Sequence, residues 1–301
     1  MPEGHTLHRL ADSLQRAFSG GPVAASSPQG RFESGARILD GGTLERVEAW
    51  GKHLFLHIDD QVLHVHLGLY GTWPVSPAPA PPPQGAVRLR LADAHWYADL
   101  RGPTACDLVG DEGRDAILAR LGPDPLRPDA DPDLFVRRVR SSRAPVGGML
   151  MDQSVLAGVG NIYRAELLFR HRISPYAEGR AVSVAKLRAV WADLVELMQD
   201  GVRRGRIVTV DPADVEALAA LDVDRPSSDD PDLDGDDDSL AMRRRRRSTG
   251  AYVYGREGRP CLRCVRRVRA ADLQGRRLYW CGYCQRAPRT GRVSRPAGGS
   301  G

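Results

Sequence analysis

The sequence predicts a multidomain α+β protein: an antiparallel β unit led by a helix, then an all-helical stretch, then a small metal-bound ribbon. Three observations predict it. Apolar residues recur every three or four positions at the amino terminus and again near residue 190. Short strand-like segments separated by Gly or Pro lie between residues 38 and 100, and four cysteines sit near the end as two tight pairs. With 301 residues and 42% apolar content the chain can bury two or three cores.

From Glu3 to Phe18, the residues Leu7, Leu10, Ala11, Leu14 and Phe18 share one face of an amphipathic helix, which anchors the terminus. Segments 38–50, 53–58, 62–67, 87–91 and 95–100 are rich in Val, Leu, Ile, His and aromatic residues, as in an antiparallel sandwich or barrel. Residues 74–85 read as a Pro-rich loop between two of these strands. After Gly122-Pro123-Asp124-Pro125 the pattern turns helical over 132–205, and Leu187, Val190, Trp191, Leu194, Leu197, Met198 and Val202 form its clearest core stripe. Residues 223–242 are Pro, Ser, Asp and Gly with almost no apolar content, which reads as a disordered linker. A ribbon follows to about 285, and 286–301 read as a loose basic tail. The expected units are therefore 1–122, 130–222, an acidic then basic insertion at 223–247, a ribbon at 248–285, and the tail.

The first residues carry Glu3, His5, His8, Arg9 and Asp12, and no run approaches the roughly 18 apolar residues of a membrane span. A secretory leader and a membrane role are not expected, and the chain is placed in the cytoplasm. Net charge is +5, yet residues 224–238 hold eight Asp against one Arg, a local balance of −7, so the rest of the chain carries +12. A basic body attracts polyanions, without saying which. Of 43 basic residues only Lys52 and Lys186 are lysines. Where charge alone is needed Arg serves here, so a retained lysine hints at a task for a compact ammonium able to lose its proton; chance retention is the alternative.

Cys261, Cys264, Cys281 and Cys284 form Cys-x2-Cys, sixteen residues, then Cys-x2-Cys. Two such knuckles present four thiolates tetrahedrally to one structural zinc ion, with no position left for water. A redox or disulfide set is the alternative, and Cys106 reads as buried filler. Within the first pair and between the two lie Arg263, Arg266, Arg267, Arg269, Arg276 and Arg277 with Tyr279 and Trp280, a cationic hairpin suited to a phosphate backbone. In Asp152 to Glu166 a Gly-containing turn ends one helix and another starts at Asn161, a favoured helix cap. Glycines 158 and 160 would let the backbone approach a ligand, and the free amides of the new helix suit an anion such as DNA phosphate. An ordinary helix hairpin is the alternative.

The opening Met-Pro-Glu-Gly-His, the turn ending Gly158-Val159-Gly160-Asn161, and Arg276-Arg277-Leu278-Tyr279-Trp280-Cys281-Gly282-Tyr283-Cys284-Gln285 together resemble the formamidopyrimidine-DNA glycosylase and endonuclease VIII family, in the right order from residue 2 to 285. The resemblance implies an amino-terminal β-sandwich with its leading helix, a helix-two-turns-helix domain and a zinc ribbon, with DNA in the cleft between. It implies a bifunctional glycosylase and abasic-site lyase acting on damaged double-stranded DNA, as a monomer at the bacterial nucleoid. After loss of Met1, the secondary amine of Pro2 would attack the anomeric carbon of a damaged nucleotide, and Glu3 would move protons at the sugar. Lys52 matches a proton donor for β-elimination that contacts phosphate, and Arg276 a phosphate-gripping arginine associated with δ-elimination. Asn161 and Arg120, the latter in Arg120-Leu121-Gly122-Pro123-Asp124, match DNA contacts.

Elementary chemistry agrees with that assignment. A terminal amine with a pKa near 8 keeps a usable neutral fraction at cellular pH, whereas an exposed lysine near 10.4 keeps little. The nucleotide must leave the stack, at a cost of a few kcal/mol, and side chains must fill the void. Endonuclease VIII has Gln-Leu-Tyr there and this chain has Gly68-Leu69-Tyr70, so Leu69 and Tyr70 are the candidate wedge, without the polar member; two ordinary strand residues are the alternative. Gly4 and the Leu-Tyr pair lean toward endonuclease VIII and oxidised pyrimidines, while His5 and Thr6 depart from the best-known branches. Arg243 to Arg247 read either as a backbone-binding strip or as a plain charge run, and no second metal site is expected at His57, His64 and His66. The competing functions are a catalytically silent zinc-ribbon DNA-binding protein and a ribbon scaffold for protein partners.

Overall fold

Two four-stranded antiparallel sheets face each other behind an amino-terminal helix. The computed structural model describes residues 2–214 and 250–286, so the acidic segment 224–238, Arg243 to Arg247 and the tail beyond 286 lie outside the described residues. Helix α1 (Gly4–Phe18) buries Leu7, Ala11, Leu14 and Phe18, as its periodicity predicts. One sheet has the order β1 (Ala24–Ser26), β6 (Val87–Ala92), β7 (Trp96–Arg101), β5 (Val75–Pro77). The other runs β2 (Leu44–Trp50), β3 (His53–Ile58), β4 (Gln61–His66), β8 (Ala105–Leu108).

Period-two alternation gives each sheet an inner face. Leu54, Leu56, Leu63 and Val65 meet Leu89, Leu91, Ala98 and Leu100 in one core that α1 also enters, which makes the unit a sandwich. Each such aliphatic side chain contributes about 1.5–3 kcal/mol by leaving water. The outer face of β3 and β4 carries His53, Phe55, His57, His64 and His66 instead. Helix α3 (Gly110–Leu118) covers part of it, with the Arg114 guanidinium 5.9 Å over the Phe55 ring and 2.5 Å from Glu48.

The segment 38–50 is not one strand. Ile38 and Leu39 end a short helix, α2 (Glu33–Leu39), then Gly41 at φ +82° turns the chain and the strand starts at Leu44. Seven residues give too little helical period to oppose the β pattern that follows. The Pro-rich stretch is likewise not all loop, since Val75–Pro77 pairs with β7. Pro77 is tolerated because β5 is an edge strand.

The helical stretch comprises α4 (Pro132–Arg140), the single turn α5 (Val146–Met149), α6 (Asn161–Arg170) and α7 (Val184–Arg204). Asp131 caps α4, Ser183 caps α7 by accepting from the Lys186 amide, and Gly205 at φ +67° closes α7. Leu187, Val190, Leu194 and Met198 meet Phe135, Val139, Leu156 and Tyr163 in a second core.

A two-stranded hairpin, β9 (Arg269–Leu273) and β10 (Arg276–Trp280), turns through Gln274 and Gly275, both at positive φ. Glu166 of α6, fully buried, fastens the start of this unit: it accepts from the amides of Tyr252, Val253 and Tyr254 at 2.7, 2.9 and 2.8 Å, and from the Thr209 hydroxyl at 2.5 Å. At the other end the Gln285 amide donates to the Ile173 carbonyl at 3.1 Å. Among the described residues no helix is long and apolar enough to cross a membrane.

Candidate active site where three segments meet

Three glycines bring distant parts of the chain within backbone contact. A Cβ on Gly51 would lie 2.9 Å from the Gly158 nitrogen, and one on Gly4 would lie 2.9 Å from the Gly158 Cα. Gly51 and Gly158 also hold positive φ, at +58° and +88°, where a side chain would be strained. The Gly4 amide donates to the Gly158 carbonyl at 2.8 Å. Below them Asp124, fully buried, accepts from the Gly51 amide and from His8 Nε2 at 2.7 Å and from the Leu126 amide at 2.9 Å. The amino terminus, the Lys52 turn and the start of α6 are thereby locked together.

Glu3 occupies that junction with no solvent exposure. Its carboxylate accepts from the Gly160 and Ile162 amides at 2.8 Å and from the Tyr163 amide at 3.4 Å. These are the unsatisfied amides of the α6 amino terminus, so a carboxylate of the sandwich neutralises the helix end of the next domain. Burial raises the Glu3 carboxyl above its ordinary range, and the Lys52 ammonium and the three amides oppose that rise. Burial also lowers the Lys52 pKa, against the attraction of Glu3 and with the repulsion of Arg276. The three side chains thus share one electrostatic field, and burial moves the Glu3 and Lys52 pKa values toward each other.

Here the anion site read from the glycine turn takes a different occupant. Gly158 and Gly160 give the close approach to Gly4, Gly51 and Glu3 rather than to a ligand, since a Cβ on Gly160 would meet Glu3 Cδ at 2.5 Å. Asn161 is also not the cap. Gly160 holds that position, and Asn161 opens the helix with its side chain turned to the ribbon, donating to the Arg277 carbonyl at 2.8 Å. Arg164, fully buried, bonds to the Asn161 side chain and donates to the same carbonyl at 3.2 Å; burial pushes its pKa down to about 10. The pair fixes β10 at the position next to Arg276, which is itself exposed at the start of the strand.

Pro2, half-buried, lines a cavity of about 760 Å³ together with Thr6, Arg9, Trp73, Leu69 and Tyr70. Leu69 is 38% and Tyr70 88% exposed, so an aliphatic and an aromatic side chain stand free at its rim. The missing polar residue at 68 has a backbone reason: Gly68 sits at φ +66°, and a Cβ would be 2.4 Å from Thr104 Cγ2. Arg120 is exposed after α3, and its charge acts on His53 and His64. Those two rings hydrogen bond at 2.9 Å and stack, and His66 bonds to Thr104 Oγ1 at 2.7 Å. Burial and the neighbouring cations lower His53 to about 3, and burial with His66 lowers His64 to about 4.

Asp124, Arg164 and Glu166 are the supporting residues that sequence reading missed. Arg164 and Glu166 had a signal, being two charges inside the otherwise apolar run from Ile162 to Phe169; Asp124 had none beyond its place in the Gly-Pro-Asp turn.

In the ribbon, the Sγ atoms of Cys261, Cys264, Cys281 and Cys284 all lie within 4.8 Å of one another, with Cys264–Cys281 at 3.4 Å and Cys261–Cys284 at 3.8 Å. Four sulfurs about 2.3 Å from a tetrahedral ion would be about 3.8 Å apart, so the cluster fits one metal ion and is no disulfide pair set. Among the described residues no other group of histidines, cysteines and carboxylates has such geometry, and Cys106 is buried away from it.

Comparison with known proteins places this arrangement. Residues 1–106 match the formamidopyrimidine-DNA glycosylase N-terminal domain, and residues 121–212 the formamidopyrimidine-DNA glycosylase H2TH domain. Endonuclease 8 1 of Mycobacterium tuberculosis is 48% identical over 290 residues, covering 95% of this chain and 100% of that protein. The formamidopyrimidine-DNA glycosylase of Nocardioides sp. is 32% identical over 268 residues, covering 86% and 82%. The Lactococcus lactis formamidopyrimidine DNA glycosylase, solved bound to DNA containing an abasic site, superposes with a TM-score of 0.71 at 22% identity, covering 95% of this chain and 100% of that one, a likeness of fold. Matched through both its sandwich and its helical domain, the chain belongs to the formamidopyrimidine-DNA glycosylase family.

Proposed function

We propose that this chain is a DNA glycosylase and abasic-site lyase of base excision repair, that it excises oxidised pyrimidines from duplex DNA, and that Pro2 is its nucleophile. The observation that carries the reading is the junction itself. Glu3, next to Pro2 in the chain, shares a buried field with Lys52, and Pro2 itself opens on a cavity large enough for an extruded base. The 48% identity to endonuclease 8 1 supports the activity, and Gly4 with the Leu69-Tyr70 pair supports the pyrimidine preference.

With Met1 removed, the Pro2 nitrogen attacks C1′ of the extruded nucleotide. The bond from C1′ to the base breaks, its electron pair leaves with the base, and a proton neutralises it. The Pro2 nitrogen gives up its own proton, the C1′–O4′ bond breaks with a proton taken up at O4′, and a cationic iminium then joins Pro2 to the opened sugar. Its charge acidifies the C2′ proton, whose loss expels the 3′ phosphate; loss of the C4′ proton then expels the 5′ phosphate. Glu3, with its raised pKa, holds a proton at the sugar, and Lys52, with its lowered one, exchanges protons with the eliminating fragment. Arg276, poised by Asn161 and Arg164, would grip the departing phosphate, while Leu69 and Tyr70 fill the gap in the stack and Arg120 contacts the backbone.

The four thiolates would hold one zinc ion, which supplies rigidity to the ribbon and no step of the reaction. Action as a monomer in the bacterial cytoplasm, on nucleoid DNA, completes the reading.

Duplexes carrying single defined lesions test it. Oxidised pyrimidines should be excised and the strand nicked by the wild-type protein, with both activities lost in Pro2→Gly. Tight binding without any excision across the panel would favour the silent DNA-binding protein instead.

A further inference from the structure

The arginines of the ribbon do not form one stripe. Arg277 pairs with Glu257 at 2.6 Å, and Arg263 lies over the rings of Phe169 and Tyr252. Arg266, Arg267 and Arg269 instead line a cavity of about 450 Å³, closed by Tyr283 and Arg286. Arg269 pairs with Trp280, at the opposite end of the hairpin from Arg276, about 13 Å away at the rise of a strand. A second cavity of about 340 Å³ adjoins the first through Arg286. Arg172 and Lys186 line it, beside the capped start of α7.

Six cations therefore surround two adjoining cavities, and no carboxylate lines either one. Among the described residues none of the six forms an ion pair. Packing does not require this gathering, because all six side chains are exposed, and their mutual repulsion opposes it. The walls are nonetheless fixed. Gln285, 2% exposed, accepts from the Cys281 amide at 2.8 Å and donates to the Ile173 carbonyl, which ties the second knuckle to the α6–α7 connection. The guanidiniums of Arg266 and Arg286 lie 4.8 and 4.1 Å over the Tyr283 ring.

The site is remote from the cleft. Arg9 of α1 donates to the Val202 carbonyl near the end of α7, and Lys186 lies sixteen residues earlier, about 24 Å along the helix. Lys186 is also one of only two lysines in the chain, and the active-site junction uses only the other.

We propose that the double cavity is a second nucleic-acid site, which grips the phosphodiester backbone of DNA outside the catalytic cleft. Charge spread over two cavities in series suits a repeating anion, and a ring flanked by guanidiniums offers a stacking surface to a base. The proposal goes beyond the catalytic reading and needs no Pro2 chemistry.

Anisotropy of a labelled undamaged duplex of about three helical turns tests it with full-length protein. Arg266→Gln/Arg267→Gln/Arg286→Gln should weaken binding at least tenfold and lower the salt slope by about one for each phosphate no longer neutralised. Lys186→Gln, outside the ribbon, should weaken it about threefold, and zinc content and Tm confirm the fold of both. Nicking of a saturating short lesion duplex of about one and a half turns, which fills only the cleft, should change less than twofold. Wild-type affinity and slope in both variants would overturn the proposal, as would equal losses on the long and short duplexes. Pro2→Gly should retain the long-duplex affinity, so failure of the catalytic reading is seen separately.

Discussion

The Glu3 carboxylate accepts a 2.8 Å hydrogen bond from the Gly160 amide, across the boundary between the sandwich and the helical domain. One side chain thus binds a helix end and, in the proposed mechanism, also moves protons at the sugar, and the two tasks separate by substitution. Glu3→Gln keeps an oxygen for the amides but cannot move a proton. Its excision of a damaged base should fall much further than its cleavage at a preformed abasic site, as measured on matched duplexes; equal losses would contradict that division. Glu3→Ala should in addition lower unfolding free energy by about 1–3 kcal/mol, because buried amides lose their acceptor.

Gly51 should accept no side chain. Alanine would combine φ +58° with a Cβ 2.9 Å from the Gly158 nitrogen, so Gly51→Ala should cost more than about 1 kcal/mol in denaturant unfolding and displace Lys52. Gly85 also has positive φ, at +67°, but with open space around it. Gly85→Ala should cost less and leave the nicking rate unchanged; similar effects at both positions would remove the argument for a packed junction.

Acid should loosen the fold at the histidines. His5, His53 and His64 are lowered from 6.5 to about 4, 3 and 4, each first by burial. A lowered folded pKa means the neutral ring is favoured in the native state. The stability it contributes is complete above pH 6.5 and declines as pH falls toward the folded values. Glu3, whose pKa is raised, has the opposite sign, one group against these three and His66, which burial also lowers. The Tm should therefore drop between pH 7 and 5, and His64→Gln should shallow that drop; a flat profile in the wild type would contradict the burial of these rings.

Glu166 should act as the ribbon's anchor. Glu166→Ala strands three amides, a loss of about 3 kcal/mol or more, and should weaken DNA binding without removing the metal. Chelation should do the reverse, melting the ribbon while the two larger cores persist. Metal analysis with near-ultraviolet dichroism from Trp280 distinguishes the two.

Periodic and spaced features were legible in the sequence, whereas contacts between distant segments were not. Helix α1, the α7 stripe and the cysteine cluster each rest on a local pattern, and the structure forms them where that pattern predicts. Helix α2 and strand β5 escaped because seven and three residues carry too little period. The glycine turn reads as a place where backbone approaches a ligand and free amides suit a DNA phosphate, whereas the structure gives those amides to Glu3, 157 residues away in sequence. The six arginines between the knuckles looked like one stripe because sequence does not show which end of a hairpin a side chain serves. Charges inside the apolar run of α6 were the one unread local signal, and they hold the Arg277 carbonyl beside Arg276 and the amides that open the ribbon unit.

The whole proposed reaction depends on the identity of the attacking amine, and the scarcity of lysine makes it easy to test. Borohydride reduction of the protein on DNA bearing an abasic site, followed by peptide mapping, offers three candidate amines: Pro2, Lys52 and Lys186. The sugar should be attached to the nitrogen of Pro2 in a peptide lacking Met1. Attachment at either lysine, or full activity in protein that retains Met1, would contradict it.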